Sequence, residues 1–154
     1  MTTLTNQVEI AAPRDAVWRI LTTLDVLDQY DPGVRSSRLV GDQRTGLGAQ
    51  RRCDLRPAGW LVEQVADFRP EEALAFELVT CSFPVTRLRH DYALTVTGHH
   101  TVVLQVMTYD LKYGVVGRAL DALMLRRQWD SGIKAFLRGL QQRVEADHIT
   151  RTPE

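Results

Sequence analysis

Six large apolar residues near the end of the chain, Leu125, Trp129, Ile133, Phe136, Leu140 and Val144, recur at spacings of three and four. That period lays them along one stripe of an amphipathic helix. Arg127, Gln128, Lys134, Arg138 and Gln142 fall off the stripe, so the spacing predicts a helix from about Gly117 to Asp147 with one buried face. At about 1.5 Å per residue this is a rod of roughly 45 Å, far longer than the mean globular helix. No second long helix is available upstream to cover the stripe. A sheet must therefore curl around it.

The remaining pattern is mostly of period two. Leu4 to Ile10 alternates weakly, and Ala11-Ala12-Pro13 then ends that strand and opens a helix with proline at its first turn. Val17, Ile20, Leu21 and Leu24 carry this helix for about ten residues, and a second short helical turn near Val26 to Gln29 runs into Tyr30-Asp31-Pro32-Gly33. Strands are expected near 34 to 42, 48 to 56, 60 to 69, 72 to 81, 87 to 97 and 100 to 112, separated by segments with turn chemistry such as Gly46-Leu47-Gly48 and Pro57-Ala58-Gly59. Short connections imply antiparallel neighbours. The fold class is thus α+β: a seven-stranded antiparallel sheet around a long C-terminal helix, with two short helices after strand one. One domain over 1–148 and a flexible tail over 149–154 are expected.

Composition narrows the partners. Nineteen basic and nineteen acidic residues cancel, so no global field draws in nucleic acid or an anionic membrane. A small neutral or locally polar ligand suits this balance, with a monomer or weak homodimer as the assembly. The first residues lack a signal-peptide pattern and no long apolar run occurs, which makes a cytoplasmic location the expectation. Cys53 and Cys81 are too few for a disulfide scaffold and are expected as free thiols.

Strands six and seven carry an unusual face. His90, Tyr92, Leu94 and Val96 share one side, and Val103, Gln105, Met107, Tyr109 and Leu111 share one side of the next strand. A dry core would favour Leu, Ile and Val there, because phenol, imidazole and amide groups need partners when buried. Such a mixture predicts a cavity.

Several segments together resemble the START-like SRPBCC superfamily in its polyketide cyclase/dehydrase branch. They are Ala12-Pro13-Arg14-Asp15-Ala16-Val17-Trp18, Tyr30-Asp31-Pro32-Gly33-Val34, Gly46-Leu47-Gly48, Leu61-Val62-Glu63-Gln64-Val65 with Phe68-Arg69-Pro70, and Gly117-Arg118-Ala119-Leu120 with Leu125-Arg126-Arg127-Gln128. The likeness spans nearly the whole chain. It implies the helix-grip fold, with a deep pocket between sheet and helix that two small helices close at one end. It also implies an aromatic residue at the pocket mouth, a place that Tyr30 fills. The motifs are mostly structural, so they imply fold more sharply than reaction.

An aldol-type cyclisation with loss of water requires a base, a donor for the enolate oxygen and an acid, with no metal or cofactor. Glu63 shares a strand face with Leu61 and Val65; turned inward it is a carboxylate in an apolar wall, suited to act as base. With the strand inverted it pairs with a surface arginine instead. Arg51 is a candidate for holding the enolate, although a one-residue slip would present Arg52. His90 and Tyr109 complete the catalytic candidates, as proton shuttle and oxyanion donor or as packed wall residues. Tyr30, Tyr92, Gln105, Met107, Ala122, Arg126 and Trp129 are the expected ligand contacts; Arg126 alternatively pairs with Asp130 four residues on. His99-His100 lacks companions at ligand spacing, so no metal site is expected. The function these features point to is a cofactor-free cyclase/dehydratase acting on a hydrophobic carbonyl compound, with a carrier or sensor of a lipid-like or aromatic ligand as the alternative.

Overall fold

The computed structural model describes residues 1–120 and 124–152. Its seven strands are β1 (Thr2–Ile10), β2 (Val34–Val40), β3 (Gln50–Leu55), β4 (Trp60–Arg69), β5 (Ala73–Cys81), β6 (Val85–Thr97) and β7 (His100–Leu111). They form one antiparallel sheet in the order β1-β7-β6-β5-β4-β3-β2. Every neighbouring pair except β1–β7 is sequential. The long excursion from β1 to β2 passes through helix α1 (Arg14–Thr22) and a 3-10 turn (Leu24–Gln29).

Alternation decides which side of each strand is inward. In β4, Leu61, Glu63 and Val65 are buried while Trp60, Val62 and Gln64 are half-exposed. In β7, Thr101, Val103, Gln105, Met107 and Tyr109 are all buried. Register shifts between Val62 and Glu63 and between Val65 and Asp67, along the β4–β5 pairing, interrupt the ladder. Such irregularities bend the strand and increase local twist, which lets a sheet curl around a helix.

In the C-terminal region the part of the expected rod over 121–123 lies outside the described residues. Helix α2 covers Gly114–Leu120 and helix α3 covers Arg126–Arg151, with Met124 and Leu125 in a π-type turn that leads into α3. Helix α3 begins later than the spacing suggested and runs four residues past Asp147. Residues 149–151, expected as tail, form its last turn, which Thr152 N–H closes by donating to the His148 carbonyl at 3.1 Å. The buried stripe is Ile133, Phe136, Leu137, Leu140 and Val144, while Leu125 and Trp129 are half-exposed on a chamber wall.

Polar bonds fasten α3 to one edge of the sheet. Asn6 Nδ2 donates to Asp130 Oδ1 at 2.8 Å, Gln141 Nε2 to the Glu9 carbonyl at 3.1 Å, and Ala11 N–H to Glu145 Oε1 at 2.9 Å. Arg19 of α1 meets Asp147 at 2.9 Å. On its other side α3 approaches the 3-10 turn at Gly139, where a Cβ would collide with the Tyr30 carbonyl oxygen. Glycine is what allows the Tyr30 backbone to rest on the helix.

Candidate functional site

Between α3 and the inner face of the sheet lies a chamber of about 520 Å³. Its walls come from β3, β4, β6, β7 and α3, and its mouth from the Asp31–Gly33 turn, the Arg56–Ala58 turn and the Phe83–Pro84 turn. Most of the lining is apolar. Leu27, Leu61, Leu88, Met107, Ile133 and Phe136 are among the contributors. Gly132 adds space on the helix side, with no heavy atom within 4 Å of where its Cβ would stand.

The charged groups are concentrated on β3 and β4. Arg51 and Glu63 are cross-strand partners in the register, and both are buried, at 4% and 5% exposure. Arg51 Nε donates to Glu63 Oε1 at 2.7 Å. The guanidinium also lies 4.2 Å from the centre of the Phe76 ring, whose π-face attracts a desolvated cation. Burial by itself would pull the Arg51 pKa down; the Glu63 carboxylate, supported by Cys53, Tyr30 and Tyr92, more than offsets this and raises it. Arg51 is thus a permanent cation.

The choice between Arg51 and Arg52 falls to the first. Arg52 points to the outer face, over the Trp60 ring at 4.5 Å and within 3.3 Å of Asp54. Glu63 matches neither arrangement expected for it alone. It is inward, yet its partner is a buried arginine on the neighbouring strand rather than apolar wall or a surface charge.

His90 and Gln105 form the second polar pair, a diagonal contact across β6–β7, with Gln105 Nε2 2.9 Å from His90 Nδ1. With the amide in this orientation Gln105 Nε2 donates to Nδ1, and the matching neutral tautomer of His90 carries its proton on Nε2. Burial pushes the His90 pKa below its ordinary value, opposed by the Glu63 charge. Gln105 Oε1 is buried with no partner among the described residues. The Tyr92 ring stacks on His90 at 6.5 Å and meets Phe136 at 5.8 Å, and its phenol is held far above the usual range by burial.

Several expected contacts lie elsewhere. Tyr109 is fully buried, its ring 4.5 Å from that of Trp129, and it is not part of the chamber wall, whereas Trp129 is. Tyr30 is buried against Phe136 at 5.8 Å and supports the mouth from outside the lining. Arg126 is exposed and off the chamber; the close ion pair of Asp130 is with Lys134 at 2.8 Å, and Arg126 acts on that carboxylate only at longer range. Ala122 lies outside the described residues.

Other lining residues were not anticipated. Asp31 reaches the mouth, with Oδ1 accepting the Gly33 N–H at 2.9 Å and a pKa raised by burial against the opposing pull of that bond and of Arg51. Its Asp-Pro-Gly context reads as turn chemistry and conceals the carboxyl. Cys53 lines the floor as a thiol pushed up to about 12, by burial first and the Glu63 charge second. Gln128, expected to point away, sits at the rim. Cys53 and Cys81 are both free. Among the described residues, no group of three or more His, Cys, Asp or Glu could hold a metal ion.

The family model for polyketide cyclase / dehydrase and lipid transport matches residues 1–145, and the chain belongs to that family. Solved structures share the fold at low sequence identity. A protein of Thermus thermophilus superposes with a TM-score of 0.81 at 21% identity, covering 95% of this chain and 99% of its own. A START superfamily protein from Mycobacterium smegmatis gives 0.77 at 16%, covering 94% and 97%. The Zhui aromatase/cyclase from a Streptomyces species gives 0.71 at 14%, covering 94% and 93%. The likeness to these three is one of fold, the antiparallel sheet around a long C-terminal helix described above, which is the helix-grip arrangement that the resemblance implies. No curated protein matches the chain in sequence. No helix among the described residues is long and apolar enough to cross a membrane.

Proposed function

We propose that the chamber binds a hydrophobic, carbonyl-bearing small molecule and promotes its enolisation and dehydration by acid/base chemistry without a cofactor. The observation that carries this reading is the buried Arg51–Glu63 pair on the wall of an otherwise apolar cavity. Arg51 commits only Nε to a protein partner among the described residues, which leaves its Nη groups for a carbonyl oxygen that becomes an enolate. Preorganised donors at such a position stabilise developing charge strongly where water is excluded. Glu63, beside it, is the candidate base. The Nε2–H of neutral His90 is a second donor, and Asp31 at the mouth is the candidate acid. The cytoplasm is the compartment this reading assumes.

A carrier of a lipid-like or aromatic ligand is the second reading. It draws on the engagement of these polar tips with one another, Glu63 with Arg51 and Gln105 with His90. A self-satisfied wall holds a ligand without acting on it. Incubation with a poly-β-ketone mimic separates the two: ring formation that Arg51→Met abolishes supports catalysis. Return of the mimic unchanged, with ligand retained in native mass spectrometry, supports the carrier.

A further inference from the structure

We infer that Glu63 makes the chamber selective for uncharged ligands, so that a carbonyl compound is admitted and the corresponding carboxylate is refused. The inference rests on the ligand-binding reading above and adds a rule of charge to it. A buried arginine at a cavity wall would ordinarily mark a site for an anion, because guanidinium and carboxylate match in geometry and charge.

The charge inventory of this chamber argues the opposite. Its ionisable lining groups are Asp31, Arg51, Arg56, Glu63, His90, Cys53 and Tyr92, the last a phenol that burial keeps protonated. Arg51 is cancelled by Glu63 at 2.7 Å. His90 sits against the Gln105 amide at 2.9 Å, and burial holds its pKa below the ordinary value, so near pH 7.5 it adds no positive charge, and the Cys53 thiol is protonated. Arg56 is exposed at the rim, where water screens it.

An entering carboxylate would therefore lose its hydration beside an arginine whose charge is already offset, with Glu63 as a like charge next to it. A neutral carbonyl brings no such penalty. It needs only one or two N–H donors, and the Arg51 Nη groups supply them. Glu63 is on this account the specificity-determining residue, acting through the arginine it neutralises.

Isothermal titration calorimetry at pH 7.5 with three probes of one shape tests this: 2-acetylnaphthalene, 2-naphthamide and 2-naphthoate. The wild-type protein should bind the ketone and the amide about tenfold or more tighter than the carboxylate. Glu63→Gln, which keeps an oxygen facing Arg51 Nε and removes the charge, should reverse the order in favour of naphthoate. Equal binding of naphthoate and naphthamide by the wild type overturns the charge rule and leaves the ligand-binding reading standing. Binding of none of the three overturns both. The wild-type comparison decides the matter even where Glu63→Gln does not fold.

Discussion

Arg51 and Glu63 stand directly opposite each other on adjacent strands, and their side chains meet at 2.7 Å with about a twentieth of either surface exposed. Two charges withdrawn from water in this way depend on each other. Removing one partner leaves the other buried and uncompensated, at a cost of about 3–5 kcal/mol, whereas replacing both by apolar residues is often neutral. Urea unfolding of Glu63→Leu should show a loss of that order, and the Arg51→Met, Glu63→Leu double variant should recover most of it. A double variant no more stable than the single one would show that the pair is not the source of the loss.

The two glycines of α3 predict opposite outcomes for one substitution. At Gly139 a new Cβ meets the Tyr30 carbonyl, so Gly139→Ala must displace the 3-10 turn or the helix. Overpacking of this kind typically costs about 1–3 kcal/mol. At Gly132 the space is open, so Gly132→Ala should stabilise by about 0.5–1 kcal/mol through helix propensity alone. Melting temperatures that move in the same direction for both would contradict this packing.

Stability should depend on the protonation of His90. Its folded pKa lies below the unfolded value of about 6.5, so just below pH 6.5 the unfolded chain takes up a proton that the folded chain refuses. Stability from this group is whole above that pH and is lost as pH falls through the window between the two values. Asp31 has the reverse sign. Raised by burial, it favours the folded state below its folded pKa, and that contribution fades as pH rises through a lower window starting near the ordinary carboxylate value. Urea midpoints for wild type and His90→Gln at pH 5.5 and 7.5 measure the first effect. The variant should lose less stability on acidification, and parallel behaviour would assign the dependence to other groups.

Tyr109→Phe should leave turnover and ligand affinity unaltered, because Trp129 and not Tyr109 faces the chamber. Its effect should appear in stability, as a lowered melting temperature arising in the buried Tyr109–Trp129 contact region. A several-fold fall in turnover at unchanged melting temperature would return Tyr109 to the site.

Much of the architecture was legible because two periods, 3.6 and 2, are written plainly in α3, β6 and β7, whereas the sequence alone leaves the inner side of β4 open. The stripe from Ile133 to Val144 and the inward set Gln105, Met107 and Tyr109 followed from spacing alone. Depth did not. Period two places Tyr109 on the correct face, but that it packs on the Trp129 ring, with Trp129 and not Tyr109 lining the cavity, depends on how α3 meets the sheet. The facing of Arg51 against Arg52 was ambiguous because β3 has too few large apolar residues to announce an inner side. Its pairing with Glu63 on β4 settles it, and pairing across strands is not a local signal. Asp31 was overlooked for a different reason. A carboxyl that accepts a backbone N–H two residues on looks complete as a turn, although its other oxygen remains available.

The fastening of α3 has a mechanical meaning. Its polar bonds reach β1 and α1, through Asn6, Glu9, Ala11 and Arg19, whereas β3 and β4 face it across the hollow. The rod is thus pinned by hydrogen bonds along one margin, while at the other it is seated by backbone packing, Gly139 against the Tyr30 carbonyl, on a turn that Asp28 bonds to Ser37 of β2. The width of the hollow is therefore set at both margins by contacts to the helix, and by neither strand layer alone.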